Sequence, residues 1–387
     1  MKKIYILILL ALVTVRTQAQ EDNSTANQRV ITTAVPFVLI AADARAAGMG
    51  DIGVATSSDA FSQQWNPAKY AFAISKQGVG VTYTPYLSQL VNDIFLGNLT
   101  YYNRIDEKSA FAASLRYFSL GDIELRDTAD QIPLIQSPNE FTFDLSYALR
   151  LSERFSMAVA GRYLRSDLKI QASNEDASAA SSFAVDVAGY YQSEEIAYND
   201  FDGRWRAGFN FSNIGPKIKY DEVGQENNLP TNLGLGAGFD FILDEYNKVG
   251  VSAEVNKLLV PTPRDFDGDG DIDAEDDDQY EDISFFSGIF ESFGDAPDGF
   301  SEELKEFTWA LGAEYWYQDV FAFRTGYFNE SDLKGSRKFL SLGAGFRYTA
   351  INIDISYLFS TSAVRSPLEG TLRFGLTFNF GDEYDEY

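Results

Sequence analysis

The chain has 387 residues, with 31 lysines and arginines against 57 aspartates and glutamates, so its formal net charge is −26. This acidic balance excludes nucleic-acid binding through basic patches, because neutralising phosphates requires clustered Lys and Arg. Histidine and cysteine are both absent, which excludes Ser-His-Asp and Cys-His catalysis, His or Cys zinc sites and disulfides.

The N-terminus predicts export. Residues 1–20 contain two lysines, an apolar stretch over 4–15, and then small and polar residues. This is the pattern of a secretory signal peptide, here 1–19, cut after Ala19. An uncleaved anchor is the weaker alternative, because a spanning helix needs about 20 apolar residues. No later segment is long enough either, so an exported chain that enters a membrane must do so as a barrel.

Residues 20–77 are predicted to form an N-terminal extension and a plug. The stretch 34–47 is rich in alanine and apolar, and Ser58 is placed to cap a short helix that Pro67 ends. Apolar residues without strand periodicity need burial, and the lumen of a wide barrel offers it. A periplasmic linker is the alternative interpretation.

Between residues 78 and 380 the apolar residues recur with a period of two, which predicts β-strands. Phe141, Phe143 and Leu145, for example, alternate with Thr142 and Asp144. Fourteen strands are predicted, and most have the length that a transmembrane strand requires. They lie at 78–85, 93–105, 109–120, 140–151, 155–166, 182–192, 204–212, 232–243, 248–258, 306–317, 320–328, 338–348, 351–360 and 371–380.

The predicted connections alternate between short turns and long loops, which is the construction of outer-membrane barrels. The longest loop covers 259–305, and the connection 193–203 is an exception on the short side. A soluble all-β protein is the alternative, but the signal peptide, strand length and loop asymmetry oppose it. The predicted fold is therefore an all-β, 14-stranded antiparallel transmembrane barrel of a Gram-negative outer membrane, with both termini periplasmic.

Two blocks of sequence resemble a known family. The plug motif Trp65, Asn66, Pro67 and Ala68 is similar to that of FadL-like outer-membrane barrels, and with 41–50 it resembles the PorV (LptO) branch of the type IX secretion system. A second block, over 288–304, 312–317 and 324–328, agrees. The resemblance covers essentially the whole mature chain.

The resemblance implies a non-enzymatic role in protein transport, with no required cofactor. Such proteins receive secreted cargo through its C-terminal sorting domain at the outer membrane. They shuttle it from the translocon (SprA or Sov) to the attachment complex that contains the sortase PorU. The implied partners are thus outer-membrane lipid, the translocon, the sortase complex and cargo C-terminal domains.

An acidic segment in the longest loop has the spacing of a twelve-residue calcium loop. Carboxylates fall at positions 1, 3, 5, 9 and 12, with Gly270 at the tight turn. The position-12 residue is aspartate where glutamate is usual, which shortens the last ligand. The candidate ligands of a structural Ca²⁺ are Asp265, Asp267, Asp269, Asp271, Asp273 and Asp276. A solvated acidic loop is the alternative.

An aromatic cluster follows the acidic segment in the same loop. Large apolar residues on a cell-surface loop indicate a binding surface, although they can instead fold back over the barrel mouth. Ser301 is placed to cap a short helix there. The candidate partner-binding residues are Phe285, Phe286, Ile289, Phe290, Phe293 and Phe300.

Two further features complete the predictions. Inward glycines such as Gly234, Gly236 and Gly343 are expected to make room for the plug or to permit curvature, and residues 381–387 are expected to form an acidic periplasmic tail.

The alternative functions are a FadL-like channel for hydrophobic small molecules and, more remotely, a lipid deacylase. A deacylase would need an activated serine, and this chain has no histidine to act as its base.

Overall fold

The computed structural model shows a ring of strands around an inner segment. The described residues are 29–88, 90–126, 130, 132–168, 179–220, 226–268, 272, 274–362 and 365–384. The predicted signal peptide therefore lies outside the described residues. Within them, no helix is long and apolar enough to cross a membrane.

Fourteen long strands in the described residues form one antiparallel barrel. Each strand pairs with the next, and the last pairs with the first, so the ring is closed. The predicted 14-stranded antiparallel barrel is thereby confirmed. The strands are β1 Ser75–Pro85, β2 Ile94–Arg104, β3 Ser109–Leu120, β4 Asn139–Ser152, β5 Phe155–Asp167, β6 Ala180–Gln192, β7 Asp202–Ile214, β8 Asn232–Ile242, β9 Asn247–Leu258, β10 Phe307–Tyr317, β11 Phe321–Asn329, β12 Lys338–Tyr348, β13 Ile351–Ser360 and β14 Leu372–Glu383.

The alternation in the sequence becomes an apolar exterior and a polar interior. In β4, Phe143 and Tyr147 are exposed, whereas Thr142 and Asp144 are buried. The same alternation runs along the other strands. A surface of this kind is stable where lipid covers the outer wall, since the polar side chains then meet each other and the inner segment.

The connections differ at the two ends of the barrel. At the short-turn end most strands join through a few residues, for example 105–108 and 349–350. Residues 193–201 are the exception there, as expected, and include a short strand, Ile196–Ala197, that pairs with the start of β7. At the long-loop end, a separate hairpin pairs Ile123–Leu125 with Leu134–Gln136.

The longest loop, 259–306, contains three helices, α3 (Ala274–Asp282), α4 (Phe285–Glu291) and α5 (Phe300–Glu303), and ends in the 3₁₀ turn Leu304–Glu306. We call it the docking loop. We call residues 34–73 the inner segment. The inner segment contains two single-turn helices, α1 (Ala44–Ala47) and α2 (Ser62–Trp65), and the 3₁₀ turns Pro36–Leu39 and Pro67–Phe72.

The two ends of the described chain lie at opposite ends of the barrel. Arg29 forms ion pairs with Asp298 and Glu302 of the docking loop, at the long-loop end. At the short-turn end, the amide of Tyr384 donates to the carbonyl of Ile74. Both termini of the chain, within 1–28 and 385–387, lie outside the described residues, so their expected periplasmic position stays a prediction.

The strand boundaries differ by a few residues from the predicted ones. β1 begins at Ser75, and β14 continues to Glu383, so 381–383 of the predicted acidic tail belong to the barrel. A register shift at this point is accommodated by Gly381, whose φ is 91°. The last residues of the predicted tail, 385–387, lie outside the described residues.

Candidate functional site

The inner segment contacts strands all around the ring. Its hydrogen-bond partners include the carbonyl of Gly189 on β6, Glu254 on β9 and Arg116 on β3. Its buried apolar residues pack with inward residues of the strands in one cluster and with residues of the long loops in another. The inner segment therefore lies inside the barrel.

The predicted plug motif fixes the path of the inner segment. The Asn66 side chain donates to the carbonyls of Val54 (2.9 Å) and Gly189 (3.0 Å), and its oxygen caps the 3₁₀ turn by accepting from the amide of Ala68. The Trp65 indole N–H donates to Asp43 at 2.7 Å. Because Pro67 supplies no N–H, the turn can start there without losing a hydrogen bond.

The short helix before this motif starts later than the sequence predicted. It begins at Ser62. The N-cap position is Phe61 rather than Ser58, and it makes no side-chain capping hydrogen bond. Asp59 orders the preceding turn by accepting from the amide of Phe61 at 2.9 Å and from the hydroxyl of Ser62. Asp59 also pairs with Arg45 at 2.8 Å, so one carboxylate orders the turn and binds the neighbouring helix.

Buried ion pairs join the inner segment to the barrel wall. Arg45 pairs with Glu314 of β10 at 2.8 Å, and Glu314 also binds Arg324 of β11. Arg324 in turn pairs with Asp354 of β13 at 2.7 Å. Each of these charges has an opposite partner, which the low dielectric of a buried site requires.

A second charged network lies on the opposite side of the lumen. Arg162 of β5 binds Asp144 of β4, Asp186 of β6 and Asn213 of β7. Sequence reasoning did not single these residues out. Their signal was available, because each charge occupies an inward position of a predicted strand, where an unpaired charge would be costly.

Glycines make the close approach of the inner segment possible. A Cβ at Gly236 would lie 2.9 Å from the Cβ of Ala55, and one at Gly343 would lie 3.1 Å from the Cα of Gly48. A Cβ at Gly326 would overlap the backbone of Met49. The inward glycines of these strands thus face the inner segment.

The docking loop presents α4 with one face turned inward. Ser284 caps the helix by accepting from the amide of Ser287. Ile289 is buried, and Gly288 approaches the ring of Pro261. Ile289, one of the predicted partner-binding residues, therefore belongs to the underside of the helix.

The outward face of this region is aromatic. Phe286 and Phe290 stack edge to face with centroids 5.3 Å apart and are 62% and 64% exposed. Phe300 is 77% exposed and Phe293 48%, whereas Phe285 is half-buried. Four of the six predicted residues are thus exposed, and together we call them the aromatic face (Phe286, Phe290, Phe293 and Phe300).

A buried charge cluster lies under the aromatic face. Lys257 at the end of β9 pairs with Glu303 (2.7 Å) and Glu306 (2.6 Å). Lys334, from the loop between β11 and β12, pairs with Glu302 and Glu306, both at 2.8 Å. Glu302 also binds Arg29, so three separate parts of the chain hold α5 in place.

The predicted cap at Ser301 is wrong. Gly299, with a φ of 74°, occupies the position before α5, and Ser301 lies within the helix.

Glu302 stays ionised over a wide pH range. Burial raises its pKa, but hydrogen bonds from Arg29 and Lys334 outweigh burial and lower the pKa of Glu302 to about 2.

The pKa of Asp295, in the same region, is shifted in the opposite direction to that of Glu302. It accepts from the amide of Thr262 at 2.8 Å, and its carboxylate lies within 4.8 Å of those of Glu303 and Glu306. Burial, together with these two neighbouring negative charges, raises the pKa of Asp295 to about 6.

Three of the predicted calcium ligands come together. Carboxylate oxygens of Asp265, Asp267 and Asp276 lie within 4.8 Å of one another. Asp276 is buried and accepts from the amide of Phe266 at 2.6 Å. Oxygen ligands of this kind fit a hard cation such as Ca²⁺. The other three candidates, Asp269, Asp271 and Asp273, lie outside the described residues.

Comparison with known families decides the assignment. The family model described as "Type IX secretion system protein PorV" matches residues 23–265, more than half of the chain. The chain belongs to the PorV family. PorV is an outer-membrane component of type IX secretion, which is a transport system. As a member of the family, this chain is associated with the type IX secretion machinery. The matched range ends before α3, so most of the docking loop lies beyond it.

Solved structures show only distant likeness. A Pseudomonas aeruginosa FadL homologue is 12% identical, with 89% of this chain and 99% of that chain covered and a TM-score of 0.46. The monoaromatic hydrocarbon channel CymD is 14% identical, with coverages of 90% and 99% and a TM-score of 0.48. No curated protein matches the chain. The assignment of the barrel therefore rests on the strand pairing of this chain.

Proposed function

We propose that this PorV-family protein receives secreted cargo at the outer membrane through the cargo's C-terminal sorting domain. It then passes the cargo from a SprA-like or Sov-like translocon to an attachment complex containing a PorU-like sortase. The family match over residues 23–265 carries this proposal. The docking loop supports it, because exposed aromatic residues on an ordered base are typical of protein-binding surfaces.

The alternative function is a channel for hydrophobic small molecules. Such a channel needs an apolar path and an opening, whereas the described lumen is occupied by the inner segment and carries the buried ion pairs of Arg45 and Arg162. The strands β2, β3 and β4 pair in continuous register. These observations favour an inner segment that acts as a plug and a barrel that serves as a body for surface binding. No catalytic role is proposed.

We place the long-loop end at the cell surface and the short-turn end in the periplasm, because outer-membrane barrels carry long extracellular loops and short periplasmic turns. Single cysteines introduced at positions 132 and 200 test this orientation. A membrane-impermeant thiol reagent added to intact cells should label position 132 alone. Labelling of position 200 alone would reverse the orientation.

The cargo proposal is tested by purification from the native outer membrane. An affinity tag after residue 387 leaves the long loops free. After mild detergent extraction we expect a large translocon barrel, a sortase, or secreted proteins that share a C-terminal domain. Recovery of the barrel with only hydrophobic small molecules or lipid would contradict cargo transfer and support the channel.

A structural Ca²⁺ in the segment 265–276 is a second proposal. It rests on the twelve-residue spacing and on the approach of Asp265, Asp267 and Asp276. The ion would neutralise part of an acidic segment that otherwise repels itself. Calorimetric titration of the purified protein with CaCl₂ should show one site. A wild-type protein that gives no more heat than the Asp276→Asn variant would contradict the proposal.

A further inference from the structure

The docking loop places an acidic helix directly before an aromatic one. α3 has six acidic residues among nine and no basic residue, and α4 starts after a two-residue link. Residues 259–306 together contain 17 acidic residues and only two basic ones. More than half of the chain's net charge of −26 is therefore concentrated in one loop.

Basic groups near this loop compensate only part of its charge. Lys257 and Lys334 are buried and form ion pairs with glutamates beneath α5, and Arg29 pairs with Glu302 and Asp298. Lys217 donates to the carbonyl of Glu281 in α3, and the loop's own basic residues are Arg264 and Lys305. Asp278, Asp282 and Glu291 are exposed. The aromatic face is thus bordered by carboxylates whose potential reaches the solvent.

The aromatic face is also held in position. Ile289 and Gly288 fix the underside of α4, and Phe286 and Phe290 support each other. The buried charge cluster connects the base of the loop to β9, to the β11–β12 loop and to the segment before residue 34. A surface ordered before binding loses little conformational entropy when a partner docks.

We propose that the docking loop binds a polypeptide whose own surface has an apolar patch flanked by lysine or arginine. This inference rests on the proposed cargo function and specifies the chemistry of the cargo surface. A second copy of this chain is disfavoured as the occupant, because two loops of this charge repel each other. An anionic lipid surface is disfavoured for the same reason.

The test uses the full protein in lipid nanodiscs and purified C-terminal domains of secreted proteins as probes, each domain with native or with acetylated lysines. Kinetics are measured at 50 and 500 mM NaCl. Phe286→Ser with Phe290→Ser should raise the dissociation rate at least about tenfold. Asp278→Asn, Asp282→Asn and Glu291→Gln together should slow association about tenfold at low salt and have little effect at high salt.

Matched variants separate this surface from general effects. Ile132→Ser with Leu134→Ser changes exposed apolar residues of another long loop, and Glu194→Gln with Asp200→Asn changes acidic residues at the short-turn end. Both should bind as the wild type does. All variants must retain the heat-modifiable gel mobility of a folded barrel, and the acidic variants leave the buried base of the loop intact.

The outcomes distinguish the two proposals. If the wild type binds the domains but neither docking-loop variant nor lysine acetylation changes the kinetics, the inferred surface is wrong and cargo reception stands. If the aromatic variant weakens binding without any salt or acetylation effect, the inference that the partner's surface is basic is wrong. If the wild type binds no domain at all, cargo reception and the inference both fail.

Discussion

The inner segment and the docking loop are both attached to the barrel by buried ion pairs, but they differ in whether their apolar residues are buried or exposed. The inner segment buries Phe37, Ile52 and Phe61 among strand residues and glycines. The docking loop leaves four phenylalanines at its surface. Arg45 and Lys257 have similar buried carboxylate partners, so electrostatic anchoring alone does not decide which region binds a partner.

The difference lies in shape complementarity. Glycines of the wall leave room for the backbone of the inner segment at Met49 and Ala55, so this region is complete without another molecule. On the docking loop Ile289 is covered on one face of α4, and the opposite face of this helix has no covering element among the described residues. The first arrangement suits closure of a lumen, and the second suits recognition.

The largest effect is expected when an anchor of the inner segment is removed. Arg45→Met leaves Glu314 and Asp59 without one of their buried partners, which should lower the free energy of unfolding by about 3–5 kcal/mol. Arg154→Met breaks an exposed pair with Glu194 and should leave the free energy of unfolding nearly unchanged, because water screens this pair. Urea unfolding in lipid vesicles measures both, and equal losses would contradict the anchoring role.

A glycine substitution tests the shape argument directly. Gly326→Ala would place a methyl group against the backbone of Met49 and should cost about 3 kcal/mol through overpacking. Gly161→Ala, where no atom lies within 4 Å, should change stability by less than about 0.5 kcal/mol. We also expect Gly326→Ala to admit vancomycin into cells, as a displaced inner segment would. Unchanged stability and permeability would show that the wall does not constrain the inner segment.

The docking loop should respond to mild changes in pH. The pKa of Asp295 is raised to about 6, so its ionised form is disfavoured in the folded loop. Its stabilising contribution is complete below the unfolded pKa of about 3.8 and is lost as the pH rises through about 6. The pKa of Glu302 is lowered to about 2, so its contribution is lost only as the pH falls from about 4.5 through 2.

Hydrogen exchange provides the measurement. Amides over 284–306, corrected for intrinsic exchange, should become less protected between pH 5 and pH 7 as Asp295 ionises beside Glu303, Glu306 and Lys257. In Asp295→Asn this dependence should disappear. Persistence of the dependence in the variant would assign it to another group.

The smallest effect is expected from calcium. Removal of Ca²⁺ by EGTA should increase exchange at 265–282 and leave the barrel strands unchanged, because the proposed ligands belong to one local segment. The Asp276→Asn variant should weaken Ca²⁺ binding about tenfold, since one anionic ligand is lost. Faster exchange in β9 or β10 on EGTA treatment would show a wider role.

The strands could be predicted from sequence because their signal is local. The alternation of Phe143 and Asp144 fixes which side faces lipid, whatever the rest of the chain does. The short helices were harder to predict, because their N-cap positions are Phe61 and Gly299 and not the expected Ser58 and Ser301. Ser and Gly are both common at N-caps, and Phe61 makes no side-chain cap, so composition could not select these positions.

The candidate site was predictable in composition but not in arrangement. The six apolar residues after Ile283 were evident, yet which of them faces outward depends on Pro261 and on the buried cluster beneath α5. That cluster joins Arg29 to Glu302, 273 residues away, and no local pattern encodes such a pairing. The same limit applies to the Arg45–Glu314 pair, which spans 269 residues.

The most direct test of the docking loop as the binding surface is photo-crosslinking in living cells. A photoreactive residue is placed at position 290 of the aromatic face or, as a control, at position 132 of the hairpin between β3 and β4. We predict adducts with secreted proteins or with components of the secretion machinery from position 290 and none from position 132. The absence of protein adducts from position 290 in actively secreting cells, or the same adducts from both positions, would contradict the account.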